Sequence, residues 1–210
     1  IKITGEVYRI ITPDYVQMEK YQEAIYEVAK LMFPQQRAEL FRTRFGLKRM
    51  FNAVKEMNRA GYFSDILPKI QQFYATIKAD GVRVVAHIRG PRLYIIGKDL
   101  RVFDLDNPPK GDLVVDAEYI EGRLHVFDVM VNNGVSIMHK PFSNRITYIN
   151  NAVLMLEKKA VPKKWESLSG DWSSTLRLIW EKKYPFEVDG LIFNQASGGD
   201  SKMEGGKWKP

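Results

Sequence analysis

From about residue 73 onward, apolar and polar residues alternate in short runs that glycine, proline and asparagine separate. An alternation with a period of two is typical of half-buried β-strands. The turn sequences Glu121-Gly122 and Asn132-Asn133-Gly134 favour hairpins between successive runs. The sequence therefore predicts a largely antiparallel, hairpin-built sheet with strands over residues 72–77, 82–88, 93–96, 113–120, 124–131 and 188–194.

The first 72 residues follow a helical pattern instead. Thr12 and Pro13 form a cap and a first turn. Apolar residues then recur at steps of three and four, at Met18, Tyr21, Ile25, Val28, Ala29 and Met32. A second apolar stripe predicts a helix over residues 47–57, with Gly61 as its stop. We therefore divide the chain into a helical lead-in, residues 1–72, and a core, residues 73–210.

Two more helices are predicted inside the core, over residues 144–159 and 173–182. The first carries Arg145 near its start and Lys158-Lys159 at its end, which we expect to be solvated. The segment 195–206 is polar, contains two glycine pairs and is predicted to be a mobile loop. Strands together with helices indicate a mixed α/β (α+β) fold.

The composition excludes several classes of protein. The chain has no cysteine, which excludes disulfide scaffolds, thiol nucleophiles and cysteine-based metal sites. Its three histidines lack metal-ligand spacing, and it contains no P-loop motif. No apolar run is long enough for a membrane span, so we expect no membrane partner. The net charge of +7 favours partners that carry phosphate groups.

The segment from Thr76 to Arg83, TIKADGVR, is the most informative part of the chain. Lys78 ends one predicted strand and Arg83 begins the next, so the Asp80-Gly81 turn brings an amine and a guanidinium together. A lysine is a nucleophile where its surroundings supply the free amine near neutral pH. Arginine can hold a ribose hydroxyl or a phosphate with its fixed fork of donors. An ordinary turn between two solvated cations is the alternative.

Acidic residues interrupt two other apolar runs. Asp116 and Glu118 are two residues apart in the run 113–120, so they point to the same face of a sheet. A carboxylate among apolar residues is costly unless it binds a cation, a hydroxyl or a metal. Asp189 lies at the start of another apolar run and is suited to binding Mg²⁺. Solvated acids on an edge strand are the alternative for the first pair.

Three further residues complete the candidate set. Phe127 could stack on a purine base, although a phenylalanine in a strand more often belongs to the core. Lys207 and Lys209 alternate with Trp208, so both lysines share one face and could hold an α-phosphate. A basic tail without a specific ligand is the alternative for the two lysines.

Taken in order, five motifs resemble the core motifs of the covalent nucleotidyltransferases, the superfamily of DNA ligases, RNA ligases and mRNA capping guanylyltransferases. The motifs are Lys-x-Asp-Gly-x-Arg, Asp-x-Glu, Phe-Asp-Val, Asp-Gly-Leu-Ile-Phe and Lys-Trp-Lys. The resemblance covers residues 73–210. It implies an ATP-grasp-like nucleotidyltransferase core of mainly antiparallel sheets flanked by helices.

The resemblance also implies a role for each candidate residue. Lys78 would attack the α-phosphorus of a nucleoside triphosphate, expel pyrophosphate and hold the nucleoside monophosphate as a phosphoramidate. Arg83 and Glu118 would contact the ribose, and Phe127 would stack on the base. Asp189 and Glu118 would bind Mg²⁺ or Mn²⁺. The full nucleotide-binding set is Ile77, Asp80, Arg83, Glu118, Phe127, Asp189, Lys207 and Lys209.

Two segments are similar to the multifunctional capping enzymes of large cytoplasmic DNA viruses and related cytoplasmic elements. These are the ending Lys-Trp-Lys-Pro and the upstream Gly-Leu-Lys-Arg at 46–49. The similarity implies GTP as substrate, a 5′-diphosphate RNA as acceptor and a cytoplasmic site of action. It also implies triphosphatase, OB-fold and methyltransferase domains in the same polypeptide.

The chain departs from the family's pattern in two respects. Ala117 stands where glycine is usual, and the given sequence ends at Pro210, before the OB-fold domain that the resemblance leads us to expect. We therefore expect this piece alone to be a weak catalyst. Two alternatives stay open: the adenylation domain of an ATP-dependent DNA or RNA ligase, and a nucleotide- or RNA-binding fragment that is inert without its OB-fold domain. The motifs alone leave the choice of nucleobase open.

Overall fold

Two β-sheets and several short helices make up the computed structural model, which describes residues 6–10, 15–51, 55–57, 59–198 and 205–208. The predicted cap at Thr12 and Pro13, residues 199–204 of the predicted loop 195–206, and Lys209 lie outside the described residues. The mixed α+β class predicted from the sequence is confirmed.

The helices and strands follow in chain order as β1 (Glu6–Ile10), α1 (Tyr15–Met32), α2 (Gln35–Thr43), β2 (Lys55–Met57), α3 (Arg59–Gly61), β3 (Phe73–Ala79), β4 (Val82–Arg89), β5 (Arg92–Ile96), β6 (Leu100–Asp104), β7 (Leu113–Ile120), β8 (Arg123–Asn132), β9 (Val135–Ser136), α4 (Phe142–Arg145), α5 (Ile149–Met155), β10 (Ala160–Pro162), β11 (Glu166–Ser167), α6 (Trp172–Glu181), β12 (Val188–Gln195) and β13 (Gly205–Trp208). Short 3₁₀ helices occupy Leu47–Arg49, Leu67–Gln72, Ile146–Tyr148 and Glu157–Lys159, and a π-helical turn occupies Tyr62–Ile66.

The larger sheet has the strand order β1-β6-β5-β4-β7-β8-β10, and β9 pairs with β8 as well. The smaller sheet has the order β11-β3-β12-β13-β2. Neighbouring strands are antiparallel except in the pairs β8–β10 and β13–β2. The hairpin at Asn133-Gly134 has positive φ angles of 51° and 77° at its two residues, which is the conformation that this pair of residues favours.

The two faces of the larger sheet bury different residues, because side chains alternate along each strand. Val84, Ala86 and Val115 point to one face, where α5 packs. Val85 and Val114 point to the other, where α1 and α2 pack. Arg83 and Asp116 lie on this second face as well, since they are two residues from Val85 and Val114 respectively. The second face therefore carries apolar residues and candidate site residues on the same strands.

The structure confirms most of the predicted strands and the helix 173–182, with ends shifted by one or two residues. The first helical stripe is α1, whose Ile25, Val28 and Ala29 are fully buried. The five-residue strands β1 and β6, which pair with each other at the edge of the larger sheet, were missed. The short strands β2, β9, β10, β11 and β13 were missed as well.

The helix predicted over residues 47–57 is wrong. A single 3₁₀ turn, Leu47–Arg49, occurs there, followed by β2, which pairs in parallel with β13. Pairing with a strand from the far end of the chain overrides the local apolar spacing. Gly61 does not stop a helix either, because it has helical φ and ψ angles of −61° and −39° and leads into the π-helical turn.

The helix predicted over residues 144–159 is wrong in its continuity and in its solvation. It is divided into α4, a 3₁₀ turn, α5 and a second 3₁₀ turn. Arg145 and Lys159 are buried, at 2% and 8% exposure, rather than solvated. Arg145 is buried because its guanidinium binds Asp128 with two hydrogen bonds, Nε to Oδ1 at 3.0 Å and Nη2 to Oδ2 at 3.2 Å.

Asp128 on β8 and Asp116 on β7 are cross-strand neighbours, and both are buried. Burial raises the pKa of Asp128, the Asp116 carboxylate raises it further, and the Arg145 guanidinium opposes the rise. Two buried carboxylates side by side require a cation each, because an unpaired buried charge costs several kcal/mol. Arg145 supplies that cation for Asp128.

We predict that Arg145→Met lowers the free energy of unfolding by about 3–5 kcal/mol at neutral pH, since it leaves the Asp128 carboxylate buried and unpaired. The loss should shrink as the pH falls, because protonation of Asp128 removes the unpaired charge. Urea unfolding at several pH values measures both effects.

Arg92→Met is the matched control. Arg92 pairs with Asp104 at 3.5 Å, with side chains 42% and 62% exposed. An exposed pair of this kind contributes less than about 1 kcal/mol. Similar losses in both variants would contradict the role given to the buried pair.

Candidate functional site

Lys78 and Asp189 form an ion pair on the smaller sheet. Lys78 Nζ donates to Asp189 Oδ2 at 2.5 Å. The lysine side chain is 14% exposed and the aspartate side chain 37% exposed. The amine is therefore shielded from bulk water on most sides, while the carboxylate is partly exposed.

A β-bulge in β12 positions Asp189. Val188 lies opposite Ala79 and Gly190 opposite Lys78, and Asp189 is the inserted residue between them. Gly190 has a φ of 145°, which L side chains rarely adopt. The bulge re-aims the Asp189 side chain, as bulges beside functional sites commonly do. Glycine is therefore favoured at position 190 by the backbone of the bulge.

The β3–β4 turn holds Asp80 and Gly81. The Asp80 backbone N–H donates to the carbonyl of Glu187 at 3.1 Å, and the Asp80 side chain is exposed. A Cβ on Gly81 would lie 2.6 Å from Ile120 Cγ1 and 2.8 Å from Glu118 Cγ. The turn therefore packs so closely against β7 that only glycine fits. Unlike the exposed Asp80, Ile77 has its side chain buried in the core of the smaller sheet.

Arg83 is fixed by a bidentate ion pair. Its Nε and Nη2 donate to Asp116 Oδ1 and Oδ2 at 3.1 and 2.6 Å. Burial would lower the pKa of Arg83, but Asp116 and, beyond it, Glu118 and Asp128 outweigh burial and raise it. The guanidinium also lies over the ring of Phe51, 4.1 Å from its centroid. The sequence identified Asp116 as a site acid but not as the residue that orients Arg83.

Glu118, Phe127 and Lys163 lie together beside Arg83. Glu118 is opposite Arg83 in the pairing of β7 with β4. Lys163 Nζ lies 4.0 Å from Glu118 Oε2 and 5.5 Å from the Phe127 ring centroid. Arg83 lies over the same ring at 5.6 Å. Two cations therefore flank an aromatic ring and a carboxylate, and the structure brings together three of the residues predicted for base and ribose.

Lys163 was missed by the sequence analysis. Its side chain is only 4% exposed. It follows β10, a three-residue strand that pairs in parallel with β8. A short strand without alternation gives little signal in the sequence, so the proximity of Lys163 to Phe127 follows from the fold alone.

For Lys207, the structure describes only the position of the backbone. It lies on β13, opposite Ile192 of β12 and Glu56 of β2. This register position is on the same sheet as Lys78 and Asp189. Lys209 lies outside the described residues, so its predicted role stays a prediction.

The predicted metal ligands are Asp189 and Glu118. Among the described residues, no group of three or more histidine, aspartate or glutamate residues could hold a metal ion. Mg²⁺ commonly takes one or two protein carboxylates and fills its other positions with water and substrate phosphates. The side chain of Asp189 is 37% exposed, whereas the Glu118 carboxylate lies 4.0 Å from the Lys163 ammonium. Both metal roles stay predictions.

A cavity of about 790 Å³ adjoins the site between β8, β10 and α6. Ile77, His125 and Lys163 line it, and the side chains of Lys78 and Asp189 do not. Burial and the neighbouring Lys163 lower the pKa of His125. The site is therefore defined by the contacts around Lys78 and Arg83, and the cavity borders it.

Comparison with known proteins confirms the predicted resemblance. No family model matches the chain. The mRNA-capping enzyme of African swine fever virus, isolate Pig/Kenya/KEN-50/1950, is 27% identical over 223 residues, which covers 100% of this chain and 26% of that protein. The chain thus spans about a quarter of the length of the curated relatives that it matches.

Two solved structures resemble the fold. One, named Pmar-Lig_Pre, has a TM-score of 0.52 and 17% identity, and the match covers 76% of this chain and 46% of that one. The other is the ligase domain of LigD from M. tuberculosis, with a TM-score of 0.50, 10% identity and coverage of 79% and 61%. The fold of this chain is therefore similar to that of a ligase domain. No helix among the described residues is long and apolar enough to cross a membrane.

We predict that Gly81→Ala destabilises the chain by about 1–3 kcal/mol, because the new methyl group would force Ile120 and Glu118 to move. Gly46→Ala is the matched control, since a Cβ there has no atom within 4 Å. Thermal unfolding of both variants measures the difference. An unchanged midpoint for Gly81→Ala would show that the turn is looser than the contacts indicate.

Proposed function

We propose that this chain is the guanylyltransferase part of an mRNA-capping enzyme. It takes GTP, forms a lysyl-GMP intermediate on Lys78 and passes the GMP to the 5′-diphosphate end of an RNA. The observation that carries the proposal is the shielded Lys78–Asp189 pair, which presents a lysine amine beside a carboxylate able to take its proton. The similarity to a viral mRNA-capping enzyme over the whole chain supports the same branch of the superfamily and a cytoplasmic, viral setting.

The first step is a displacement at phosphorus. The lone pair of Lys78 Nζ forms a bond to the α-phosphorus of GTP, and the bond from that phosphorus to the bridging oxygen breaks, so pyrophosphate leaves. The ammonium must first lose a proton, and Asp189 Oδ2 at 2.5 Å is placed to accept it. A divalent cation bound at Asp189 would offset the negative charge of the phosphates.

The second step transfers the GMP from Lys78 to the RNA. An oxygen of the terminal phosphate of the 5′-diphosphate attacks the phosphorus of the lysyl-GMP. The N–P bond breaks, GMP is joined to the RNA, and Lys78 regains its proton. Arg83 holds its orientation through both steps because Asp116 binds two of its nitrogens.

Lys163 gives one reason to choose GTP. Phe127 is 9% exposed, and the Lys163 ammonium lies 5.5 Å from its ring centroid. Lysine can only donate hydrogen bonds. Guanine presents acceptors at O6 and N7, whereas adenine presents an acceptor at N7 and an amino donor at N6. If Lys163 faced the six-position of a base beside Phe127, it would match the O6 of guanine and not the N6 of adenine.

The ligase alternative keeps one supporting observation, which is the likeness of the fold to the ligase domain of LigD. A ligase would form the same bond at Lys78 with AMP in place of GMP. The identity of the nucleotide that labels the protein therefore separates the two functions, and a binding fragment would take no label.

We predict that the chain incubated with Mg²⁺ takes acid-labile label from GTP, and that Lys78→Ala abolishes it, because the phosphoramidate requires the lysine nitrogen. Labelling with α-³²P nucleotides and denaturing gels measures the adduct. Lys110→Ala is the matched control, since Lys110 is exposed in a loop. Label from ATP alone would favour the ligase, and label that persists in Lys78→Ala would move the nucleophile to another residue.

A further inference from the structure

A basic groove borders the candidate site at Gly81 and Arg83 of the β3–β4 hairpin. Its volume is about 760 Å³. Five cationic residues line it, and no described residue that lines it is acidic: Arg44, Lys48, Arg49, Arg83 and Lys98. Such an excess of one charge attracts a polyanion.

The four outer cations of the groove are exposed. Arg44 follows α2, and Lys48 and Arg49 lie in the 3₁₀ turn after it, whose backbone is closed by hydrogen bonds from Arg49 to Gly46 and from Met50 to Leu47. Lys98 lies across the groove, between β5 and β6. The neighbouring acid, Asp99, is directed away to Arg9 and Arg101, at 2.8 and 3.4 Å. The groove therefore keeps its positive charge.

Aromatic rings lie among the cations. Phe45 and Phe51 line the groove and are only partly buried. The Arg49 guanidinium lies 5.2 Å from the Phe45 ring centroid, and the Arg83 guanidinium 4.1 Å from that of Phe51. Cations that follow a phosphate backbone, combined with rings on which bases stack, are the features of single-strand nucleic-acid binding.

The groove leads to the reacting residues. Gly81 and Arg83 line it, and both belong to the Lys78–Arg83 hairpin. The Arg83 guanidinium also lies near Phe127, where the nucleotide base would stack. A strand seated in the groove would thus have one end next to the nucleotide on Lys78.

We propose that the basic groove binds the 5′ end of the single-stranded acceptor RNA, with its phosphates on Lys48, Arg49 and Lys98. This inference rests on the proposed guanylyl transfer. It adds the path by which the acceptor reaches the lysyl-GMP, and it gives a function to the Gly46–Arg49 segment that the sequence singled out. Binding through phosphates is independent of base sequence.

The test is fluorescence anisotropy with 5′-diphosphate RNA of roughly ten nucleotides, in the size range that such grooves hold. The double variant Lys48→Ala/Arg49→Ala should bind roughly tenfold or more weakly at low salt, whatever the RNA sequence. The slope of log Kd against log salt should fall by about 0.7 for each phosphate contact removed. Lys110→Ala/Lys158→Ala, which removes two exposed charges elsewhere, should bind like the unaltered chain.

Two results would contradict RNA binding by the groove. One is equal RNA affinity and salt slope in both double variants, and the other is no RNA binding by the unaltered chain at low salt. Labelling of the unaltered chain by GTP is scored in the same preparation. Absence of label together with groove-dependent RNA binding would count against guanylyl transfer and support the groove as an RNA site. The two proposals can therefore fail separately.

Discussion

Two aspartates, Asp116 and Asp128, lie side by side in the middle of the larger sheet, and the arrangement of the site depends on how their charges are balanced. Each is buried and each binds one arginine with two hydrogen bonds. Without the arginines, both carboxylates would be buried with unbalanced charge. The resulting loss in the free energy of unfolding would be a large part of the total stability of a domain. Arg83 lies on β4 and Arg145 on α4, so the two ion pairs connect these elements to β7 and β8.

Arg145 joins the two sheets. Besides Asp128 on the larger sheet, its Nη1 donates to the carbonyls of Lys140 and Gly198, at 2.7 and 3.1 Å. Gly198 follows β12, the strand that carries Asp189. Arg83, which binds Asp116, lies at the start of β4, shortly after the turn that follows Lys78. The same charge network therefore orients the Arg83 guanidinium beside Phe127 and holds the segment that follows β12, the strand of Asp189.

The sequence was enough to select candidate site residues, but it did not predict the contacts that those residues make. Alternation and turn residues identified the hairpins because those patterns are local. The helix over 47–57 was mispredicted because β2 depends on pairing with β13, about 150 residues later. Arg145 was expected to be solvated because its partner, Asp128, is 17 residues away and on another element. Lys163 carries no periodic signal, and the bulge at Asp189 showed only as a glycine after an acid.

The proposed function depends on a covalent bond between Lys78 and GMP. Intact mass spectrometry of the chain after incubation with GTP and Mg²⁺, followed by peptide mapping under alkaline conditions, detects this bond. We expect a mass gain of one GMP per chain, located on the peptide that contains Lys78. A gain located on another lysine, or no gain while GTP binding is retained, would contradict it.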